Sequence, residues 1–263
     1  MEVLILCGGK GTRIREVSES YPKPMLPIGE RPILWHIMNH YSFHGFKKFH
    51  LCLGYKADVI KNYFINCNYL DHDFTIELKN SNIQIHDLEK SNDWIVSLRD
   101  TGLESMTGHR IKKLENVING DTFMATYGDA VSTINLTKLL AFHKSHGQIA
   151  TVTGVHPLGR FGELRLDGDR VSSFQEKPEN RHDYINGGFF VFNRSVFDFI
   201  GPDEDEILEQ GPMRALVEAD ELMVFRHDGF WQPMDTPREY EMLNNMVRRG
   251  VAPWLLCQEK ERI

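Results

Sequence analysis

Basic residues are in the minority: the 263-residue chain has 30 Lys and Arg against 37 Asp and Glu, a formal charge of −7. That balance argues against a nucleic-acid backbone or an anionic membrane as the main partner. One small phosphorylated ligand stays open, since it needs only a few local cations. Cysteine is scarce as well, with four residues. Cys7, Cys52, Cys67 and Cys257 are far apart and form no CxxC, so neither a zinc ribbon nor a thioredoxin-like redox pair is supported. Cys7 and Cys52 fall in apolar runs, where cysteine acts as a small hydrophobe, and a reduced, cytoplasmic setting is expected. No apolar run reaches the length of about 18 residues that a membrane-spanning helix needs. Met1-Glu2-Val3 has no basic stretch and Gly8-Gly9 breaks the first apolar run, so no secretory leader is expected.

What is present suits a globular protein. Hydrophobic residues make up 41% and charged residues 25%, enough apolar material for a sizeable core. Val3 to Cys7 reads as a strand buried on both faces. A helix is expected from Ile33 to Phe43, with Pro32 at its start and Gly45 just past its end. A strand at Phe49–Leu53, a helix at Ala57–Phe64, a strand at Phe123–Tyr127, a helix from Leu136 to Gly147 and a strand at Ile149–Val155 follow. Strand and helix in alternation mean parallel pairing with right-handed crossovers, hence an α/β fold.

Two regions break the rhythm. Residues 66–110 hold short alternating pieces, Phe74–Leu78 and Trp94–Leu98, and read as a β-rich excursion. Gly162–Leu166 and Val171–Phe174 read as a hairpin around Asp167-Gly168-Asp169. Gly188–Phe192 adds a core strand. Residues 236–263 form a helical tail, opened by Thr236 and Pro237, with Gly250 marking the end of its first helix. No linker or repeat divides the chain, so residues 1–263 are expected to form one domain.

The most informative segment, Leu6 to Arg13, follows the first strand directly. Gly8, Gly9 and Gly11 let main-chain amides approach a ligand with no Cβ in the way, and such a nest suits phosphate oxygens. An ordinary strand-to-turn connection is the alternative. The dinucleotide fingerprint fails, because Ile14 stands where its last glycine belongs, and the P-loop spacing is absent. Prolines on both sides of Lys23 fix its backbone. Arg13 and Lys23 could therefore flank a triphosphate whose base lies over the glycine loop.

The run from Leu6 to Arg13, followed by Pro22–Met38, resembles the start of the nucleotidyltransferases that make nucleotide-sugars from sugar 1-phosphates. Further matching segments are Tyr127-Gly128-Asp129, Phe174–Pro178, Ile185–Phe190 and Phe230–Thr236. Trp35–Met38, Asp100–Gly102, Ser105–Gly108 and Gly159–Gly162 are similar to members that use CTP and glucose 1-phosphate. The resemblance covers nearly the whole chain. It implies a Rossmann-like nucleotide-sugar transferase fold, a mainly parallel mixed sheet flanked by helices. It also implies a homo-oligomer, a hexamer among its forms, with no nucleic acid or membrane involved. The same chemistry on another nucleotide or sugar 1-phosphate, or a non-catalytic binding protein on this fold, stays open at this point.

Asp129 follows a strand and a glycine, at the end of a sheet where α/β proteins bind ligands. Asp235 lies in the proline-framed Gln232–Thr236 loop; an isolated aspartate there is otherwise a cap or turn residue. The resemblance makes the two Mg²⁺ ligands. It places Leu6, Gly8, Gly9, Gly11, Thr12, Arg13, Lys23, Ser105, Arg110 and Gly128 around the nucleotide. Glu176, Lys177, Asn186 and Gly187 fall around the sugar phosphate, and Arg13, Lys23 and Lys177 are the catalytic cations. Ser105 and Arg110 lie in the excursion, from which they could also reach a neighbouring subunit. Ala130 departs from the family's Gly-Asp-Gly and is harmless only with negative φ. His36, His40 and His44 share a helix face without a completing carboxylate or cysteine and are read as packing residues, as are His143 and His146. Asp203–Glu206 reads as a solvated acidic loop.

Overall fold

The apolar runs at Val3 and Phe49 become neighbouring strands of one eight-stranded sheet in the computed structural model of the chain. The structure describes residues 1–11, 14, 21–87, 92–156, 163–167, 169–175 and 184–260, with the main chain alone at 163–167, 173–175 and 257–260. The sheet strands are β1 (Glu2–Leu6), β2 (Lys48–Leu53), β3 (Ile95–Asp100), β4 (Thr122–Tyr127), β5 (Ala150–Val155), β6 (Ile185–Asn186), β7 (Phe190–Asn193) and β8 (Leu222–His227). β3, β2, β1 and β4 lie side by side and parallel. β7 enters antiparallel between β4 and β5, and β8 closes the far side of β5 in parallel.

Side chains alternate across the sheet, as a strand's two-residue period requires. Val3, Ile5, Phe49, Leu51 and Met124 face one core; Leu4, Cys52, Phe123 and Ala125 face another. Helices α1 (Ile33–Phe43), α2 (Ala57–Asp71), α4 (Leu136–His146), α6 (Pro237–Arg248) and α7 (Pro253–Lys260) contribute to the first. Helices α3 (Thr107–Lys112) and α5 (Gly211–Glu218) contribute to the second. A sheet covered on both faces is what near-continuous apolar strands demand.

Local signals set several boundaries. α1 has the expected bounds, with Pro32 as its cap rather than its first residue, and Gly45 beyond it at φ 84°. α2 runs past Phe64 to Asp71. The strand near Trp94 is β3, the sheet edge beside β2, so the β-rich excursion proper is the hairpin of Phe74–Glu77 and Asn82–Ile85. Glu163–Asp167 and Arg170–Gln175 pair as the second hairpin.

The histidines of α1 are structural. His36 Nε2 donates to Ile28 O at 2.8 Å while its Nδ1 accepts from Trp254, and His40 Nε2 reaches Ile134 O at 2.9 Å. Burial drives the His40 pKa down to about 3. His143 is buried against Thr151 and Asn193, and His146 bonds Thr151. The acidic run is exposed at Asp203–Asp205, as expected of a solvated loop, but its main chain is docked. The carbonyls of Glu204 and Glu206 accept from the amides of Met106 and Gly108, strapping it across the start of α3.

Candidate active site

The carboxyl ends of β1 and β4 open onto a cleft of about 340 Å³, the place where parallel sheets leave main-chain groups for a ligand. Leu6, Gly8, Gly9, Gly11, Lys23, Ser105, Arg110, Gly128, Asp129 and Asp235 all line it, so ten residues expected to serve nucleotide or metal come together. Thr12, Arg13, Glu176 and Lys177 lie outside the described residues.

One guanidinium organises the glycine-loop side of the cleft. Arg110 Nη1 donates to Leu53 O at 3.0 Å, Thr101 Oγ1 at 2.7 Å and Gly102 O at 2.7 Å, and Nη2 donates to Gly8 O at 3.1 Å. The loops after β1, β2 and β3 are thus tied to one planar group. Arg110 is only 4% exposed, and burial lowers its pKa. Among the described residues no carboxylate forms an ion pair with it. Its charge therefore faces carbonyls and the cleft. Gly8 must be glycine for a steric reason, since a Cβ there would lie 2.9 Å from Arg110 Nε and closer still to the guanidinium carbon. Gly11 needs its freedom of backbone, at φ 58° against Lys23. Arg110 reaches the glycine loop of its own chain, and Ser105 lines the same cleft. Ser105 Oγ donates to Thr101 O at 2.6 Å.

The acidic side is built by a two-stranded ladder. Ala130–Ser132 pairs antiparallel with Trp231–Pro233, and Met234 N donates to Asp129 O at 2.9 Å. This sets Asp129 beside Asp235 although they are distant in sequence. Asp235 is held again from α6. Glu239 Oε2 accepts from the amides of Asp235 at 2.8 Å and Thr236 at 2.9 Å, while Thr236 Oγ1 accepts from Glu239 N. That is a capping box, and it fixes the metal-ligand candidate as well as the helix. Ala130 is not among the residues of positive φ, so its methyl group is accommodated.

Lys23 stands between the two carboxylates. Its Nζ lies 2.5 Å from Asp129 Oδ2 and 2.6 Å from Asp235 Oδ1, with the side chain 12% exposed. Burial opposes its charge, but the two aspartates outweigh burial and raise its pKa. The donor chemistry fits a divalent cation bound together with phosphates. Two carboxylates are on hand, and no group of three or more His, Cys, Asp or Glu forms a complete cage among the described residues.

Asn186 and Gly187 lie where β6 meets β5. Asn186 is exposed, and its Oδ1 accepts from Gly188 N at 2.9 Å. Gly187 is buried, with its carbonyl accepting from Trp231 Nε1 at 2.8 Å. Tyr127 and Thr107 stand in segments that carry the family resemblance but had no expected role, and Glu209 was not singled out at all, yet the three join this region to the cleft. Glu209 carries no local motif, and only its contacts reveal it.

The sequence model described as nucleotidyl transferase matches residues 2–248. The chain belongs to the nucleotidyl transferase family. Within that family, the glucose-1-phosphate cytidylyltransferases of Salmonella typhi and Salmonella typhimurium are each 46% identical to it over 255 residues, 97% of this chain and 98% of theirs. A solved UDP-glucose pyrophosphorylase complexed with UDP-glucose superposes with a TM-score of 0.66 at 16% identity, covering 95% of this chain and 98% of that one; it shares the fold. Among the described residues no helix is long and apolar enough to cross a membrane.

Proposed function

We propose that the chain transfers CMP from CTP to α-D-glucose 1-phosphate, giving CDP-glucose and pyrophosphate. The observation that carries this reading is 46% identity to two glucose-1-phosphate cytidylyltransferases over 97% of the chain. The convergence of Arg110, Lys23, Asp129 and Asp235 on one cleft supports the chemistry. A sugar phosphate oxygen attacks the α-phosphorus in line; a new P–O bond forms and the bond to pyrophosphate breaks. The nucleophile is already anionic, so no general base is required, and the protein's work is positioning and charge neutralisation.

The glycine loop takes the nucleotide with main-chain groups, over a floor held by Arg110. Asp129 and Asp235 would hold Mg²⁺, which when bound neutralises charge on the phosphates. Lys23, moved off the two carboxylates by the ion, offsets charge on the triphosphate beside them. By the family resemblance, Arg13 does so too, Lys177 steers the attacking phosphate, and Glu176, Asn186 and Gly187 meet the sugar. A cytoplasmic homo-oligomer goes with this reading. The test is pyrophosphate release with CTP, UTP, dTTP, ATP and GTP against several sugar 1-phosphates. The expected result is highest kcat/KM for CTP with glucose 1-phosphate; a higher value for another pair overturns the substrate assignment.

A further inference from the structure

Glu209 lies at the end of the strap whose carbonyls hold the start of α3, and its carboxylate bridges two hydroxyls. Thr107 Oγ1 donates to Glu209 Oε2 at 2.7 Å and itself accepts from Leu208 N at 3.0 Å. Tyr127 OH donates to Glu209 Oε1. Tyr127 OH in turn accepts from Asn186 Nδ2 at 3.1 Å, and Asn186 Oδ1 accepts from Gly188 N at 2.9 Å.

Two ends fix the directions in this chain, the Glu209 carboxylate, which accepts from Tyr127, and the Gly188 amide, which donates to Asn186 Oδ1. An ionised carboxylate only accepts, so the single phenolic proton of Tyr127 must point at Glu209. The phenolic oxygen then has only lone pairs for Asn186, which must present its NH₂ there and its oxygen to Gly188. The Asn186 amide has two orientations of similar shape, and this chain selects one. Burial, with the Glu209 charge second, raises the Tyr127 pKa, so the phenol keeps its proton.

We infer that Glu209 is a positioning residue for the sugar 1-phosphate: by holding the Tyr127 proton it keeps the phenolic oxygen an acceptor for Asn186 Nδ2, and so holds in place against the sugar an amide whose orientation Gly188 selects. This rests on the assignment of Asn186 to the sugar side under the proposed function. Thr107 and the strap anchor the carboxylate; Tyr127 transmits its polarity; Asn186, exposed at the edge of β5, makes the contact. Hydroxyl donors and acceptors on a hexose ring are distinguishable only to a side chain whose own donor and acceptor are fixed.

Steady-state kinetics of Glu209→Gln, Tyr127→Phe and the double variant test it. Gln can donate to the phenol, which frees the phenolic proton to face the Asn186 NH₂ and breaks the hydrogen bond that holds that end of the amide, while Gly188 still selects its orientation. Each single change should raise KM for the sugar 1-phosphate about 10-fold, the scale of one hydrogen bond, and more than it changes kcat or KM for the nucleotide. The double variant should be no worse than the weaker single, because both cut one chain. Additive losses, or equal rises in both KM values, would overturn the inference. If Glu209→Gln does not fold, Tyr127→Phe, which removes one oxygen, carries the same KM comparison. Wild-type protein is assayed first with CTP and glucose 1-phosphate. Should it turn over another pair, the substrate reading fails, and the variants are judged with the pair that works.

Discussion

Lys23 Nζ sits 2.5 Å from Asp129 Oδ2, so the lysine lies where a cation bound by Asp129 would come. The same nitrogen is 2.6 Å from Asp235 Oδ1. One ammonium thus bridges the pair, and a divalent ion arriving alone must displace it. With a triphosphate present, the displaced lysine has a new anion to meet.

Replacing Lys23 with Met should therefore have two opposite effects. Affinity for Mn²⁺ in the absence of nucleotide should rise, because the competing cation is gone; a titration followed by electron paramagnetic resonance reads this. KM for CTP should rise about 10- to 100-fold, the worth of a lost charge-assisted hydrogen bond of about 1.5–3 kcal/mol. Unchanged Mn²⁺ affinity would mean that Lys23 does not occupy the ion's position.

Asp129→Asn and Asp235→Asn should each lower kcat by on the order of 10²-fold or more, and EDTA should abolish turnover. Full activity of both variants, or of wild type in EDTA, would remove the metal from the scheme.

Gly8→Ala should act through Arg110. The new methyl group would press on a guanidinium pinned by five acceptors, so the arginine or the loop must move. Loss of one such bond costs about 1.5–3 kcal/mol, measurable by urea unfolding. On an Arg110→Ala background the same methyl should cost much less. Equal costs on both backgrounds would show that the clash is not with Arg110.

Stability should fall below neutral pH through the buried histidines. The His40 pKa is depressed from 6.5 to about 3 by burial, and those of His36 and His143 are lowered for the same first reason. The unfolded chain then binds protons that the folded chain refuses. The stabilisation is complete above about pH 6.5 and drains away as pH falls toward 3, by at most ~1.4 kcal/mol per pH unit for each histidine. His40→Gln should flatten the decline of Tm between pH 6.5 and 4; an unaltered slope would place the effect elsewhere.

Base choice is a separate matter. Cytosine offers an amino donor where uracil offers a carbonyl, and fixed main-chain groups between Leu6 and Gly11 can discriminate strongly between them. The expected outcome is a higher kcat/KM for CTP than for UTP at saturating glucose 1-phosphate.

Sequence periodicity and punctuation located most of the sheet and the helices on its first face, because apolar runs, Gly45 and the Thr236-Pro237 helix start each act within one turn of chain. α2 ran past Phe64 because its later turns are half exposed and carry no stop residue. β3 looked peripheral because, as an edge strand, it is only partly buried and reads as alternating. Gly8, Gly9 and Gly11 were visible as a loop, but not that Arg110 is the reason Gly8 has no side chain. Nor could any local pattern show that Glu209 meets Tyr127 across 82 positions, since that contact exists only once the strap has docked on α3.

β7 has a further consequence, for the growing polypeptide. It covers β4 in antiparallel register, with Phe190 opposite Ala125 and Asn193 opposite Thr122. During synthesis β1 to β4 emerge early, while their cover comes only with residues 190–193. In that interval β4 presents an unpaired apolar edge, the kind that joins to other chains. Fragments ending near residue 150 should therefore aggregate even though they contain most of the nucleotide cleft, and this enzyme's yield in a fast expression host should depend on chaperone supply.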